Sequence, residues 1–232
     1  HQMKHEAETF IQRTLNEDDR SMPVVPFSGG KDSTVVSALA RQVIPPNDLL
    51  HIFVDTGLES PETHRFVDEF HKANPAIPFL HARPNVDFFD MCELLGPPSR
   101  IKRWCCSTQK TFPLGMIYGI LGAEKQITSL CGVRKCESVS RQYHKRVLDK
   151  TKIAEEKMIC PILEWRDIEV WLFLIAESQP FNRDYRRGFR RIGCLHCPYN
   201  SEWSEFLKAA YYKRAKSKWE KTVKRYYEKR SH

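Results

Sequence analysis

Six residues near the N-terminus combine two glycines, a lysine, an aspartate and two serines in a pattern that suits phosphate binding. They follow an apolar run at residues 24–27, and they are Ser28, Gly29, Gly30, Lys31, Asp32 and Ser33. A strand, a glycine turn and a helix start in succession direct backbone N–H groups and the positive end of the helix dipole at one anion. Lys31 would add a point charge. The pattern therefore predicts a phosphate-binding loop.

The spacing of these residues excludes two common nucleotide loops. A Walker A loop needs four residues between its first glycine and Gly-Lys-Ser/Thr, and a dinucleotide fingerprint needs G-x-G-x-x-G. Residues 28–33 fit neither pattern. They match the PP-loop of the ATP pyrophosphatases, and the Phe-Val-Asp-Thr-Gly run at 53–57 resembles the phosphoadenosine phosphosulfate reductase branch of that superfamily. The alternative interpretation is a tight βα turn with an incidental lysine.

This resemblance implies roles for the loop residues in binding ATP and Mg2+. Lys31 and the backbone of Gly29 and Gly30 would hold the β- and γ-phosphates, with further hydrogen bonds from the two serines. Asp32 would serve the metal or the conformation of the loop. The adenosine would lie near residues of the second motif, which are Asp55, Thr56 and Gly57. A loop that holds pyrophosphate favours attack at the α-phosphorus, and positioning and charge neutralisation would supply most of the catalysis.

A third segment, residues 132–138, is similar to the G-x-R-x-x-E/Q-S pattern of the family. The resemblance implies that Gly132 approaches the nucleotide and that Arg134 meets a phosphate or sulfate of the substrate. Arginine suits that task because its planar guanidinium binds oxyanions through two parallel hydrogen bonds. A surface arginine in a loop is the alternative. We expect Lys31, Asp32 and Arg134 to be the catalytic residues.

Four of the eight cysteines have the spacing of a metal site. Cys105 and Cys106 are adjacent, while Cys194 and Cys197 form a C-x-x-C motif. Four thiolates can close around a [4Fe–4S] cluster or a zinc ion, and unliganded structural cysteines are the third possibility. The combined pattern resembles that of cluster-bearing adenylyl-sulfate reductases and of DNA phosphorothioation proteins in the same family. This resemblance favours the cluster.

Charge and composition indicate an acidic partner and exclude a membrane span. The formal net charge is +8, with five arginines between residues 183 and 191 and a terminal stretch, 208–230, in which Lys and Arg alternate with aromatic residues. Such a surface suits nucleic acid, although an amphipathic helix with solvated lysines would read the same way. No long apolar run or signal peptide is present. We expect a cytoplasmic protein that does not bind membranes.

Alternating short apolar runs and helical periodicities predict an α/β fold. We expect a doubly wound, mostly parallel sheet with helices on both faces, of the adenine nucleotide alpha hydrolase type, and a C-terminal helical extension that carries cysteines. The predicted division is a nucleotide-binding domain at 1–180 and a basic segment at 181–232 packed on the same domain. The polar stretch 137–157 has no core pattern and predicts a long loop or lid.

These features lead to one leading functional hypothesis and two alternatives. Reductases of the family use a cysteine in a C-terminal Glu-Cys-Gly-Leu-His segment, whereas the last cysteine here is Cys197. We therefore expect an ATP pyrophosphatase that adenylates nucleic acid, DNA above all, for sulfur insertion, as in DNA phosphorothioation. A cysteine desulfurase would donate sulfur, and other subunits of a modification complex would be partners. The alternatives are a reductase of adenylyl sulfate or phosphoadenylyl sulfate and a non-catalytic nucleotide-binding protein.

Overall fold

The computed structural model describes residues 1–123, 125–154 and 156–230, and within them strands and helices alternate as expected. The strands are β1 (Ser21–Pro26), β2 (Leu50–Val54), β3 (Phe79–Ala82), β4 (Gln126–Leu130), β5 (Val147–Leu148) and β6 (Glu156–Ile159). The helices are α1 (Gln2–Asn16), α2 (Lys31–Val43), α3 (Pro61–Ala73), α4 (Phe88–Leu95), α5 (Trp104–Cys106), α6 (Phe112–Leu121), α7 (Asp167–Ala176), α8 (Glu202–Tyr211) and α9 (Lys213–Glu228).

The strands form one sheet in the order β3-β2-β1-β4-β6-β5. Each neighbouring pair is parallel except β5 and β6, which are antiparallel. In the central strand, Val24 pairs with Leu50 on one side and with Ser129 on the other. Because parallel strands share one carboxyl edge, the loops that follow β1, β2 and β4 emerge side by side. The predicted mostly parallel α/β sheet is confirmed.

Helices cover both faces of the sheet, because two neighbouring buried residues of β1 pack into different clusters. Val25 packs into the apolar cluster that contains residues of α1, α2, α3 and α7, whereas Val24 packs into a second cluster with α6. In this second cluster Tyr118 is fully buried, and its hydroxyl lies 2.6 Å from Ser129 Oγ. Side chains of a strand point alternately to opposite faces, so each face of β1 contributes to a separate core. The doubly wound arrangement is therefore confirmed.

The segment predicted as a lid contains two strands. Residues 137–157 include β5, and β6 begins within them at Glu156 and pairs with β4 along its length. This strand lacks the apolar pattern by which a buried strand is predicted, because it contains polar residues. Glu156 is buried, and its carboxylate accepts a 2.5 Å hydrogen bond from the Thr151 hydroxyl. Glu155 lies outside the described residues. The long-loop prediction is wrong for the part that forms β5 and β6.

The segment directly before helix α6 has a different backbone geometry from the helix itself. Residues Ser107–Thr111 form a π-helical turn, and the regular helix α6 begins only at Phe112. Single π-helical turns inside α-helices are rare and occur mostly at functional sites. Here the turn follows the adjacent cysteines of α5 directly.

The C-terminal extension consists of α8 and α9, and aromatic side chains attach it to the rest of the protein. Trp219 of α9 stacks on His196 with ring centroids 5.2 Å apart, and it also contacts Phe88 of α4. Ser201 caps the N-terminus of α8 by accepting a hydrogen bond from the backbone of Ser204. Within the described residues, no helix has the length and apolar content that crossing a membrane requires.

Candidate functional site

The predicted phosphate loop connects β1 to α2 at the carboxyl edge of the sheet. Gly29 has a φ of +70°, and a Cβ added there would lie 3.2 Å from Val67 Cγ2. A side chain at this position would therefore be strained in both backbone and packing. The hydroxyls of Ser33 and Thr34 donate to the carbonyl oxygen of Gly30, at 2.9 and 3.0 Å. These contacts fix the first turn of α2 with its N-terminus directed into a cleft.

The side chain of Tyr185 accepts a hydrogen bond from one of the backbone N–H groups of this loop. Its hydroxyl accepts a 2.9 Å hydrogen bond from the backbone N–H of Lys31, and its ring meets Trp171 edge to face with centroids 5.1 Å apart. Burial raises the pKa of Tyr185 above its ordinary value. The phenol is therefore neutral at physiological pH. When a ligand binds, the hydroxyl can give up its hydrogen bond from the Lys31 N–H and donate one to a phosphate oxygen instead.

A second wall of the cleft comes from the loop after β4, which lies against the phosphate loop. A Cβ added at Gly132 would lie 2.8 Å from the carbonyl carbon of Asp32 and 3.0 Å from its Cβ. Real Cβ atoms do not approach backbone this closely. Gly132 is therefore required for the two loops to meet, and their contact brings Arg134 to Asp32.

Two buried cations and two carboxylates meet at this junction. Lys31 Nζ lies 3.1 Å from Asp32 Oδ2 and 3.4 Å from Asp167 Oδ1. The guanidinium of Arg134 lies 2.7 Å from Asp32 Oδ1 through Nε and 2.6 Å from Asp167 Oδ1 through a terminal nitrogen. Lys31 and Arg134 are 4% and 2% exposed, so each cation needs these partners when no anion is bound.

The electrostatics of the junction favour the charged form of Asp167. Burial alone would raise the pKa of Asp167, but the charges of Lys31 and Arg134 hold it below its ordinary value. The same two aspartates raise the pKa of Arg134 against the effect of burial. Asp32 Oδ1 and Arg134 Nε face each other at ion-pair distance, but neither makes an aligned hydrogen bond with another described residue. A ligand can supply the missing partners.

The cleft around the junction has a volume of about 560 Å3 and a strongly basic rim. Ser28, Gly30 and Ser33 line it beside the junction residues. Its arginines, in addition to Arg134, are Arg141, Arg166, Arg190 and Arg191. The thiol of Cys136 also faces the cleft and accepts a 3.1 Å hydrogen bond from Arg134. This arrangement can bind a polyphosphate.

The second motif lies after β2, on a different side of the phosphate loop. Asp55 accepts hydrogen bonds from the backbone of Gly57 and from His64 Nε2, both at 3.0 Å, and pairs with Arg83. The hydroxyl of Thr56 donates to Glu59 at 2.8 Å. The residues that line the basic cleft do not include Asp55, Thr56 or Gly57. Their role at the adenosine remains a prediction.

The structure brings the four predicted metal-binding cysteines into one neighbourhood. Cys105 and Cys194 pack in the same apolar cluster as Phe88 and Trp219. A hydrogen bond from the Cys105 thiol to Cys106 raises the pKa of Cys105, as do burial and the negative charges of Cys106, Cys194 and Cys197. Two segments about 90 residues apart in sequence, the turn α5 and the loop before α8, thus supply four thiols that act on one another.

One thiol of this group is poised as a thiolate. The hydrogen bond from Cys105 lowers the pKa of Cys106 to about 5, against the effect of burial, and Arg103 and Lys110 act in the same direction. Burial raises the pKa of Cys194. Among the described residues, three ligand atoms of potential metal-binding side chains lie within 4.8 Å of one another at Asp55, Glu59 and His64, and no three of these cysteine sulfurs do.

Three kinds of residue in the cleft are absent from the prediction made from the sequence. In the sequence, Asp167 has the character of a residue that begins helix α7, and nothing around Tyr185 indicates a functional role. Arg190 and Arg191 belong to the basic segment 183–191, which the sequence predicts to be part of a nucleic-acid surface. The structure places these two arginines on the rim of the cleft, whereas Arg187 lies in a network with Asp184 and Glu62.

Comparison with known sequences places these features in one family. The model of the phosphoadenosine phosphosulfate reductase domain matches residues 22–200. Two Methanocaldococcus jannaschii proteins, both named uncharacterized, are 34% and 36% identical to the chain over 95% and 86% of its length. The chain spans only 45% and 47% of these two relatives. An adenosine 5'-phosphosulfate reductase of Bacillus mycoides is 27% identical, and the match covers 73% of this chain and 70% of that protein.

Solved structures share the fold at low sequence identity. The phosphoadenylyl-sulfate reductase of Candida auris superposes with a TM-score of 0.61 at 16% identity, covering 83% of this chain and 89% of its own. The FMN adenylyltransferase of Candida glabrata, in complex with FAD and inorganic pyrophosphate, gives 0.61 at 14% identity, with 83% and 62% coverage. These likenesses confirm the adenine nucleotide alpha hydrolase-like fold. The match of the family model over residues 22–200 shows that the chain belongs to the phosphoadenosine phosphosulfate reductase domain family.

Proposed function

We propose that the cleft binds ATP, releases pyrophosphate and transfers the adenylyl group to a backbone phosphate of DNA, which is thereby activated for sulfur insertion. The observation that carries this proposal is the pairing of Lys31 and Arg134 with two carboxylates at the phosphate loop. The enzymes named among the relatives and the family itself support a nucleotide-dependent reaction. The DNA substrate is our own inference.

The paired charges favour a triphosphate over adenylyl sulfate. A cleft built for a small anion alone gains nothing from two carboxylates next to its cations, because they repel the ligand. A triphosphate brings more negative charge than adenylyl sulfate and arrives with a divalent cation. Lys31 and Arg134 can then turn from the aspartates to phosphate oxygens, while the carboxylates turn to the cation. Arg190 and Arg191 on the rim would screen the remaining charge, whereas Arg141 and Arg166 are already paired with Glu137 and Glu169.

Mg2+ fits this donor set. Carboxylates are its preferred protein ligands, and Asp32 Oδ1 is a buried oxygen without an aligned hydrogen bond in the described structure. Asp32 and Asp167 would hold the ion, which when bound would neutralise charge on the departing pyrophosphate. No other feature of the mechanism depends on it.

The protein's own residues would position the reacting groups. The N-terminus of α2 and Lys31 would hold the β- and γ-phosphates, and the Lys31 N–H would exchange the hydroxyl of Tyr185 for a phosphate oxygen. Arg134 would hold the α-phosphate or the acceptor phosphate. An oxygen of the acceptor phosphate attacks the α-phosphorus, and the bond to pyrophosphate breaks. The terminal sulfur of a persulfide supplied by a cysteine desulfurase partner would then displace AMP, and a thiol would cleave the remaining S–S bond, which leaves the sulfur on the acceptor phosphate and releases a disulfide.

The four cysteines would hold a [4Fe–4S] cluster in this protein. They fit it because two separate segments supply four thiols, one of them with a pKa of about 5. The four thiolates of a single zinc ion, with Zn–S bonds of about 2.3 Å, would lie only about 3.8 Å apart. Among the described residues no three of the four sulfurs lie within 4.8 Å of one another, so they are not gathered around a zinc-sized ion. When bound, such a cluster supplies redox or structural chemistry.

A second function, reduction of adenylyl sulfate, is favoured by the relatives named adenosine 5'-phosphosulfate reductase. In that reaction the nucleotide is the substrate, sulfite is released and no pyrophosphate forms. The two functions therefore differ in their products.

Release of pyrophosphate by a Lys31→Ala variant tests the proposed function. We expect wild-type protein to release pyrophosphate from ATP and Mg2+ in the presence of DNA, and the variant to lose at least about 100-fold in rate because a buried cation at the transferring phosphates is gone. Lys135→Ala is the matched control. Lys135 lies in the loop that forms the second wall, four residues after Cys131, but its side chain pairs with Glu164 and does not line the cleft. Equal rates for wild type and the Lys31 variant would refute the proposal.

A further inference from the structure

The C-terminal segment presents exposed aromatic rings, but most of the rings in the stretch 208–230 are not among them. On α9, Trp219 stacks on His196, and Tyr226 lies so close to Gly96 that a Cβ there would meet its hydroxyl at 2.6 Å. These two rings are occupied by contacts inside the protein. Three rings around the start of α8, by contrast, are exposed to about one half or more: Tyr199 at 49%, Trp203 at 49% and Phe206 at 62%. We call Tyr199, Trp203 and Phe206 the α8 ridge.

The rings of the α8 ridge are held in place rather than free to rotate. Trp203 and Phe206 stack with centroids 5.5 Å apart and an interplanar angle of 24°. The indole Nε1 of Trp203 donates a 2.9 Å hydrogen bond to the carbonyl of Gly188, and the Tyr199 hydroxyl donates one of the same length to the carbonyl of Arg100. Fixed flat rings lose little conformational entropy when another ring stacks on them.

Positive charge surrounds the ridge. The guanidinium of Arg103 lies 4.8 Å from the ring centroid of Tyr199 and that of Arg100 lies 5.9 Å from it. Arg187 lies 5.2 Å from the ring of Tyr211, at the other end of α8, but its charge is already paired with Glu62 and Asp184. Of the carboxylates on α8, Glu205 pairs with Lys208, and Glu202 lies in the first turn, where it stabilises the positive end of the helix. The ridge therefore combines flat apolar rings with an excess of cations.

A short segment joins the ridge to the nucleotide cleft. Trp203 contacts Gly188 through its hydrogen bond, and three residues that follow shortly after Gly188 line the cleft: Arg190, Arg191 and Ile192. A strand that stacks its bases on the ridge would thus find a basic path for its phosphates toward the site of adenylation.

We propose that the α8 ridge binds unpaired DNA by stacking bases on Trp203, Phe206 and Tyr199, with the neighbouring arginines on the backbone. Aromatic rings interleaved with arginines are suited to single strands, because in a duplex the base faces are already stacked and unavailable. This inference rests on the proposed function for its choice of DNA, and it locates the acceptor on α8 rather than on α9. The ridge thereby selects single-stranded over double-stranded substrate.

The test is binding of a fluorescent 20-nucleotide oligodeoxythymidylate, measured by anisotropy without ATP. We expect the double variant Trp203→Ala, Phe206→Ala to weaken binding by roughly tenfold or more, because each stacked base contributes measurably to affinity. Binding of a duplex of equal length should change by less than about twofold, since duplex binding depends on charge. The matched control is Tyr227→Ala, a variant of another exposed ring, on α9, which should bind the oligonucleotide like wild type.

Several outcomes would overturn the inference. They are unchanged binding by the double variant, an equal loss for duplex and single strand, a loss with Tyr227→Ala instead, or clearly tighter binding of the corresponding oligoribonucleotide. Quenching of Trp203 fluorescence by the oligonucleotide, read as the difference between wild type and Trp203→Phe, gives an independent signal of stacking. Because no ATP is present, these results do not depend on pyrophosphate release, so failure of the ridge and failure of the proposed function are separately visible.

Discussion

The nucleotide cleft and the cysteine group are assembled in different ways. The cleft is built on two adjacent parallel strands, β1 and β4, and its key side chains, Lys31 and Arg134, are buried and already paired with aspartates. The cysteine group joins a three-residue helix to a loop about 90 residues away, and its thiols are partly exposed. The backbone thus preorganises the cleft, whereas we expect the order of the cysteine group to depend on the metal or cluster proposed to bind there. Changes to backbone should damage the first site most, and changes to ligand atoms the second.

The largest effect is expected from Gly132→Ala, which tests the backbone part of this comparison. The added Cβ would lie 2.8 Å from the carbonyl carbon of Asp32, so one loop must move away from the other. A shift of about 1 Å at the phosphates reduces the rate of pyrophosphate release by about 100-fold, and overpacking costs roughly 1–3 kcal/mol of the free energy of unfolding.

The matched control is Gly119→Ala on α6, where nothing lies within 4 Å of the added Cβ. That variant should keep its activity and be slightly more stable, because alanine favours a helix more than glycine does. If Gly132→Ala kept the wild-type rate, the close approach of the two loops would not be needed for function.

Replacing single cysteines should have a smaller effect, confined to the second site. Cys194→Ser or Cys197→Ser should lower the iron bound per chain, measured chemically after anaerobic purification, to less than about a quarter of the wild-type content. ATP binding should persist in these variants because the cleft has its own supports. The exposed Cys136 faces the cleft instead, so Cys136→Ser should retain iron. Wild-type protein that bound zinc and no iron would correct the cluster assignment.

The smallest effect concerns the sheet that carries the cleft, through a buried histidine of β2. Burial lowers the pKa of His51 to about 4, and the charge of Arg41 acts in the same direction. Between about pH 6.5 and pH 4, this histidine is therefore protonated in the unfolded chain but not in the folded chain. The free energy of unfolding should fall as pH falls through that window, by on the order of 1–3 kcal/mol.

The substitution His51→Gln should flatten this part of the pH dependence, as measured by urea unfolding at pH 7 and pH 4.5. The exposed His5 provides the control variant, His5→Gln, which should keep the wild-type slope. An unchanged slope in His51→Gln would show that other groups cause the loss of stability in acid.

The sequence predicted those parts of the site that are formed by residues adjacent in the chain. The phosphate loop and Gly132–Arg134 could be recognised because each follows a strand and is a contiguous run of residues that resembles a family motif. Asp167 and Tyr185 could not, because an aspartate at a helix start and a tyrosine in a turn are ordinary, and only tertiary packing brings them to Lys31. Strand β6 was missed for the converse reason, since its buried Glu156 reads as a surface residue until Thr151 is known to pair with it.

The central claim is that this cleft splits ATP rather than adenylyl sulfate. Its most direct test offers the wild-type protein each nucleotide in turn, ATP with Mg2+ and single-stranded DNA, or adenylyl sulfate with a dithiol, and measures pyrophosphate and sulfite. We predict pyrophosphate from ATP, dependent on DNA, and no sulfite above background. Sulfite from adenylyl sulfate with no pyrophosphate from ATP would contradict the claim and establish the reductase instead.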